Sequence, residues 1–287
     1  MRGCGRAWRG LAGGRARPEG APTVDVVGTG GDASHTFNLS TGAALLAAAA
    51  GARVAKHGNR SVSSRSGSAD LLEALGLAMP LDERTAGQCL AATGFTFLFA
   101  PHYHPAMRAV APVRAALGIR TVFNMLGPLT NPAAPPYQVV GAFNRDAARL
   151  MADTLTGLDV ERAFVVHGEP GWDEPTPAGP FLLLDVRHGR VEESTRSAAD
   201  FGLRSCRPDE LKGGDAAYNA SALGAVFSRL DHGPHRDALV MGAALALEVT
   251  GLAPDARAGA ARAAAALDSG AAATLLDRLS AFSRGRA

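Results

Sequence analysis

Thiols are scarce. Cys4, Cys89 and Cys206 are the three cysteines of a 287-residue chain. They lie too far apart to frame a disulfide scaffold or a metal motif, so a reducing cytoplasm is the default setting. No apolar run is long enough to span a bilayer. Charge of one sign is not in excess either, the formal net charge being +2. That balance argues against a dedicated nucleic-acid or membrane-surface protein. His102 and His104 stand two apart, which is not the helical spacing of a zinc site, and the remaining histidines form no set. A G-x-S-x-G elbow and a Ser/His/Asp arrangement are both missing, so covalent nucleophilic catalysis has no candidate. No internal repeat is present. The most telling gap is acid: no Asp or Glu occurs from Ala33 to Ala69.

Inside that acid-free window lies KHGNRSVSSRSGS, residues 56–68. It holds the cations Lys56, Arg60 and Arg65, an imidazole, five hydroxyls and two glycines. Such a stretch packs a core poorly and suits a polyanion, because N–H groups, hydroxyls and guanidinium forks all donate to phosphate oxygens. A solvated serine-rich loop is the bland alternative. The flanks speak against it, since apolar Val54-Ala55 precedes and a helix-like LLEALG follows.

Apolar residues make up 47% of the chain, enough for a large core. Short apolar strands are expected at 23–27, 53–57, 96–99, 138–143, 163–167 and 181–186. Helices are expected at 38–50, apolar all round and so buried, and at 67–76, 81–94, 104–118, 121–126 and 145–157. The helix at 104–118 contains Pro112, which predicts a kink. Two or three more helices, from about Asn219, Arg236 and Asp255, close the chain. Strand–helix alternation predicts an α/β fold, a mainly parallel sheet covered by helices. Ligands bind beyond the C-terminal strand ends of such sheets. Residues 1–20 carry five arginines before their first acid, Glu19, and no serine. They read as a disordered Gly/Arg-rich tail, or as the product of a misplaced start, ahead of an α/β domain over 21–287.

Gly28, Gly30 and Ala33 fit G-x-G-x-x-A superficially. A dinucleotide site also needs an acid about 20 residues on, and the acid-free window excludes it. The glycine turn instead joins Asn38, Ser40 and Thr41 at the start of a buried helix. Asn and Ser serve as N-caps, but a helix N-terminus also attracts anions. Turn, helix start and basic loop at one sheet edge suggest a ligand with more than one phosphate. Polyphosphate sites use Mg²⁺ held by one or two carboxylates plus phosphate oxygens. Asp173-Glu174, past the strand ending at His167-Gly168, stands in the right place. Other adjacent acids (Asp82-Glu83, Glu192-Glu193, Asp209-Glu210) show how ordinary such pairs are on a surface. Arg114 shares a helical face with Met107, Val110 and Ala111. A guanidinium on an apolar stripe needs a carboxylate or phosphate, from a structural ion pair or from a substrate.

Together, DVVGTGGD (25–32), FNLST (37–41), KHGNRSVSSRSGSADLLEALG (56–76), FAPHYHPAMRAVAPVRAALGIRTVFNMLGPLTNP (99–132) and the HG…DE loop (167–174) resemble the anthranilate phosphoribosyltransferases, the second enzyme of tryptophan synthesis. The resemblance implies transfer of phosphoribosyl from phosphoribosyl pyrophosphate (PRPP) to the amine of anthranilate, releasing pyrophosphate. By the same resemblance, Gly28, Gly31, Asp32, Thr36, Asn38, Leu39, Ser40, Thr41, Lys56, His57, Gly58, Asn59, Arg60, Ser61, Val62, Ser63, Ser64 and Ser68 hold PRPP. Gly28, His57, Asn59 and Arg114 face anthranilate, and Ser40, Asp173 and Glu174 match Mg²⁺ positions. It further implies a homodimer made through a small helical subdomain. Residues 104–130 contribute to that subdomain, whose N-terminal helices in family members precede the strand at Val24 and have no counterpart here. Two smaller departures are Met241-Gly242-Ala243 for the usual Leu-Asn-Ala, and Trp172 for a usual Leu. A nucleoside phosphorylase, related in fold, and a non-catalytic PRPP-binding paralogue are the competing readings.

Overall fold

A computed structural model describes residues 22–30, 36–61, 65–107, 110, 116 and 121–285. The expected tail, Gly31, Asp32, Val62, Ser63, Ser64 and Arg114 lie outside the described residues, as does much of the 104–130 segment.

Among the described residues seven strands form one sheet: β1 Val24–Gly28, β2 Val54–Gly58, β3 Phe95–Phe99, β4 Tyr137–Gly141, β5 Arg162–Gly168, β6 Phe181–Arg187 and β7 Arg190–Arg196. Their order is β3-β2-β1-β4-β5-β6-β7. The first five in that order pair in parallel, and β6 and β7 add on antiparallel. Among the described residues the bounded helices are α1 Leu39–Ala49, α2 Ser68–Ala74, α3 Glu83–Thr93, α4 Ala100–Tyr103, α5 Val122–Leu126, α6 Arg145–Leu155, α7 Ala216–Phe227, α8 Pro234–Val249, α9 Ala256–Asp268 and α10 Ala271–Arg284.

The expected mainly parallel, helix-covered sheet is therefore present. Its parallel strands read as continuous apolar runs because both faces are covered. On one face β1, β2, β3 and β5 bury Val26, Val54, Phe97 and Phe164 in the large core with α1 and α8. On the other, Val27, Val140 and Val165 meet α6 through Ala148, Met151 and Ala152. Helix α1 is apolar all round because it lies between the sheet and α8. At Gly242 an added Cβ would stand 2.7 Å from Ala43 Cβ, so the small residue lets α8 approach α1. Trp172 is buried in the large core.

Start and stop signals behave as chemistry dictates. Asp82 accepts from Thr85 N–H at 2.8 Å, and Asn144 from Ala147 N–H at 2.7 Å, capping α3 and α6. Gly94 ends α3 in the left-handed conformation at φ 82°. Three expectations differ from what is found. Among the described residues four helices, not two or three, close the chain. Strand β7 has no counterpart among the expected strands: its RVEESTR is polar and mostly exposed, as an antiparallel edge strand permits. The chain after β3 forms the short helix α4, breaks at His104 and returns to helix at Met107, so the helix does not start at His104.

Candidate active site

The site occupies the C-terminal ends of β1, β2, β4 and β5, with β1 central. Three of these strands finish in glycine after a valine pair: VVG at 26–28, VVG at 139–141 and VVHG at 165–168. The reason is the Asp173-Glu174 loop, which lies across them. A Cβ on Gly28 would stand 2.4 Å from Asp173 Oδ2, and one on Gly141 only 1.6 Å from the Asp173 carbonyl oxygen. On Gly168 it would stand 2.3 Å from the Glu174 carbonyl oxygen. At Gly141 and Gly168 the obstacle is backbone, so glycine is required by space there, whereas at Gly28 it is the Asp173 carboxylate that would have to move. The loop is also tied at its base, where Gly168 N–H and Trp172 N–H each donate to the other's carbonyl at 2.9 Å.

The two carboxylates rest on groups suited to a phosphate. Asp173 Oδ2 accepts from Gly30 N–H at 2.5 Å, with Thr29 Oγ1 at 3.3 Å. Gly30 has φ 66°, the turn conformation expected after β1. Glu174 Oε1 accepts from Ser40 N–H at 2.8 Å in the first turn of α1, and Thr36 Oγ1 lies 3.3 Å from Oε2. An anion thus already marks the glycine turn and the helix N-terminus, as the dipole argument predicts. Among the described residues no group of three or more His, Cys, Asp or Glu converges to hold a metal. Two carboxylates over donors that suit phosphate fit a hard divalent cation that takes its other oxygens from a bound ligand.

Asn38 occupies the N-cap position of α1, yet its side chain makes no cap bond. It bridges instead: Nδ2 donates to Ser66 O at 3.0 Å, and Oδ1 accepts from Asn219 Nδ2 at 2.8 Å. Thr41 Oγ1 donates to Ser68 Oγ at 2.9 Å. Both bonds fasten the helix start to the basic loop. Leu39 itself is buried in the large core.

The loop after β2 is organised by the acid that ends the acid-free window. Asp70 Oδ2 accepts from Ser61 N–H at 3.0 Å and Gly67 N–H at 2.8 Å, while Oδ1 accepts from Arg60 at 3.0 Å. Its pKa is lowered: burial alone would raise it, and these donors outweigh that. Arg60 also pairs with Glu73 and lies over the Phe99 ring. Arg60, expected to hold PRPP, is thus paired with two acids of α2, bracing the loop. Asn59 is exposed, its Oδ1 accepting from Arg60 N–H at 2.7 Å, and Gly58 packs against Phe97.

Lys56 does not lie open in the cleft. It is 1% exposed, and Nζ donates to Val26 O. Burial lowers its pKa, opposed by Asp25, Glu174 and Asp173, so a single buried cation sits among three carboxylates. Asp25, which sequence reasoning missed, is pushed up to about 6 by burial, against Lys56 and Asn131 Nδ2, which donates to Oδ2 at 2.8 Å. His57 is also buried. Its Nδ1 faces Gly127 O at 3.3 Å and its Nε2 faces His104 Nε2 at 3.2 Å. Burial, then His104, pushes the His57 pKa down to about 3, and burial lowers that of His104. The pair is uncharged at neutral pH.

Gly141, Gly168, Asp25, Asn131 and Asn219 were not singled out from sequence. The repeated valine–glycine strand ends were a usable signal for the first two. Nothing local marked the others, whose bonds to Asp25, Ala55 and Asn38 cross 76 to 181 residues.

The sequence profile of the glycosyl transferase family, a/b domain, matches residues 20–273. A protein of Chloroflexus aurantiacus named anthranilate phosphoribosyltransferase is 49% identical over 265 residues, covering 92% of this chain and 78% of its own length. One of Rubrobacter xylanophilus with the same name is 50% identical over 282 residues, covering 98% and 82%. Among solved structures, the Thermus thermophilus anthranilate phosphoribosyltransferase aligns with a TM-score of 0.92 at 43% identity, covering 99% of this chain and 84% of that one. The Saccharomyces cerevisiae enzyme in complex with PRPP and Mg aligns with a TM-score of 0.89 at 27% identity, covering 99% and 79%.

Proposed function

The chain belongs to the anthranilate phosphoribosyltransferases of the glycosyl transferase family, and we propose from that premise how its own residues carry the reaction. The substrates are PRPP and anthranilate. The anthranilate nitrogen bonds to the anomeric carbon, the bond from that carbon to pyrophosphate breaks, and the nitrogen gives up a proton. An arylamine is neutral at pH 7 and already nucleophilic, so the reaction does not call for a strong general base. The neutral His57–His104 pair is consistent with this.

The difficulty is departure of pyrophosphate from a carbon that gains positive charge. One observation carries the reading: the glycine turn and the α1 N-terminus converge on Asp173 and Glu174, and the β2 loop is fastened to that helix start through Asn38 and Thr41. Gly30 N–H, Ser40 N–H and Thr36 are donors that phosphate oxygens would take over from the two carboxylates, and Asn38 and the Thr41–Ser68 bond hold the loop beside them. Preorganised donors aimed at the leaving group stabilise the developing charge. Asp173, Glu174 and Ser40 are the residues that would hold Mg²⁺, which supplies charge neutralisation of the pyrophosphate. Buried Lys56 sets a positive charge close to that carboxylate pair. Gly31, Asp32 and 62–64 complete the PRPP loops in this reading.

Arg114 and Asn59 receive anthranilate, the guanidinium pairing with its carboxylate. Arg114→Ala should raise the KM for anthranilate about ten- to a hundredfold and leave that for PRPP alone. Unchanged anthranilate KM with lowered stability would make Arg114 a structural ion-pair partner. No helix among the described residues is long and apolar enough to cross a membrane. We place the enzyme in the cytoplasm, with its small-molecule substrates, as a homodimer formed through the 104–130 region.

The test is direct. Purified protein with PRPP, anthranilate and Mg²⁺ should form fluorescent phosphoribosylanthranilate, above a Glu174→Gln control. Phosphorolysis of a nucleoside instead, with no fluorescent product, would overturn the assignment.

A further inference from the structure

We propose that Asn219 is a positioning residue for PRPP, acting through the side chain of Asn38; the proposal rests on the function given above. Asn219 lies 181 residues beyond Asn38, in the first turns of α7, and is 1% exposed. Its Oδ1 accepts from Gly214 N–H at 2.8 Å, and its Nδ2 donates to Asn38 Oδ1 at 2.8 Å. Asn38 Nδ2 then donates to Ser66 O at 3.0 Å. The chain has a fixed direction. Gly214 N–H can only donate and the Ser66 carbonyl can only accept, so each carboxamide between them has one permitted orientation. Asn38 is thereby held with its NH₂ towards the PRPP loop. The second hydrogen of that NH₂ has no partner among the described residues, and a phosphate or ribose oxygen is the acceptor it suits.

The surrounding segment reinforces this. Phe37 N–H donates to Leu211 O at 3.0 Å, and Thr36 bridges to Lys212. A Cβ on Gly213 would stand 2.6 Å from both Phe37 N and Thr36 O. Residues 211–219 therefore press directly on the backbone that leads into α1, whose N-terminal donors form half of the anion site. A residue that only anchored α7 would be satisfied by Gly214, whereas Asn219 directs its donor at a site residue.

Replacing one amide nitrogen by oxygen inverts the chain. In Asn219→Asp the carboxylate still accepts from Gly214 but offers no hydrogen to Asn38. Asn38 must turn its NH₂ towards the new carboxylate, which sets its own oxygen against the Ser66 carbonyl. Calorimetry with PRPP and Mg²⁺ should show Kd rising about tenfold or more. In steady state the KM for PRPP should rise with it, while the KM for anthranilate stays within about twofold. Asn219→Ser, smaller and uncharged, serves as second variant should the buried carboxylate prevent folding, and should show the same split. PRPP affinity within about twofold of wild type in either folded variant would overturn the proposal. So would a parallel rise in both KM values with a fall in Tm, or failure of both variants to fold, since each marks a purely structural residue. If the wild type itself fails to bind PRPP with Mg²⁺, the functional reading falls instead.

Discussion

Gly141→Ala adds one methyl group where the structure leaves no room for it. The new Cβ would stand 1.6 Å from the Asp173 carbonyl oxygen. Contacts under 3.0 Å essentially never occur for real Cβ atoms, so the Asp173 backbone must retreat by about 1.4 Å. Gly141 does not occupy the left-handed region, so alanine brings no backbone strain and the collision acts alone. Asp173 and Glu174 would leave the donors on Gly30 and Ser40 by more than their hydrogen bonds tolerate. A displacement of about 1 Å at a positioning group costs roughly 10²-fold in rate. We therefore expect kcat/KM for PRPP to fall about a hundredfold, while overpacking lowers stability by about 1–3 kcal/mol. Gly87→Ala is the matched control. Gly87 lies in α3 with nothing within 4 Å of an added Cβ, so alanine there should stabilise by up to ~1 kcal/mol and leave kinetics unchanged. The assays are the fluorescent turnover measurement and thermal melts. A Gly141→Ala enzyme with turnover within about threefold of wild type would refute the claim that these glycines exist to seat the acidic loop.

Three further expectations follow from the same geometry. Glu174→Gln should lower kcat at saturating Mg²⁺ by roughly ten- to a hundredfold, and should bind metal-free pyrophosphate more tightly than wild type, because a charge resting on Ser40 N–H is gone; weaker metal-free binding would show that Glu174 does not occupy the anion position. Lys56→Met should cost about 3–5 kcal/mol in urea melts by stranding buried Asp25, and Asp25→Asn in the same chain should restore part of it; strictly additive losses would mean the two charges do not interact. The folded-state pKa of Asp70 is depressed, so its contribution to loop order is present above the unfolded value of about 3.9 and is lost as pH falls through the lowered folded value. Proteolysis within 60–67 should therefore increase only on strong acidification in the wild type and already at neutral pH in Asp70→Asn, and equal nicking in both would remove Asp70 as the organiser.

The parallel sheet was legible because both-side burial writes strands such as VDVVG and RAFVVHG as plain apolar runs. The basic loop was legible from its lack of acid. What it does could be read only in part. Arg60 pairs with Asp70 and Glu73, 10 and 13 residues further on, a pairing that the sequence does not announce. Lys56 alternates with Ala55 and His57 along β2, which says that it faces one side of the sheet and not that the side is core. Strand β7 escaped because an exposed edge strand carries no burial signal. Asn219 sits in a helix of unremarkable composition, and its partner is set by tertiary packing alone.

The strand order has a kinetic consequence. The glycine turn follows β1, the basic loop follows β2 and the acidic loop follows β5, so Thr29 and Asp173 meet across 144 residues of sequence. Contacts of that separation incur their loop-closure entropy before they contribute any stability, and parallel pairing is slow for this reason. Local helices such as α6 and α9, each capped by its own side chain, can form early. The anion site cannot, since its three walls meet only once β2 and β4 flank β1 and β5 has joined β4. During refolding, helical circular dichroism should return ahead of PRPP binding, and the interval between them measures how long the central strand takes to acquire its two neighbours.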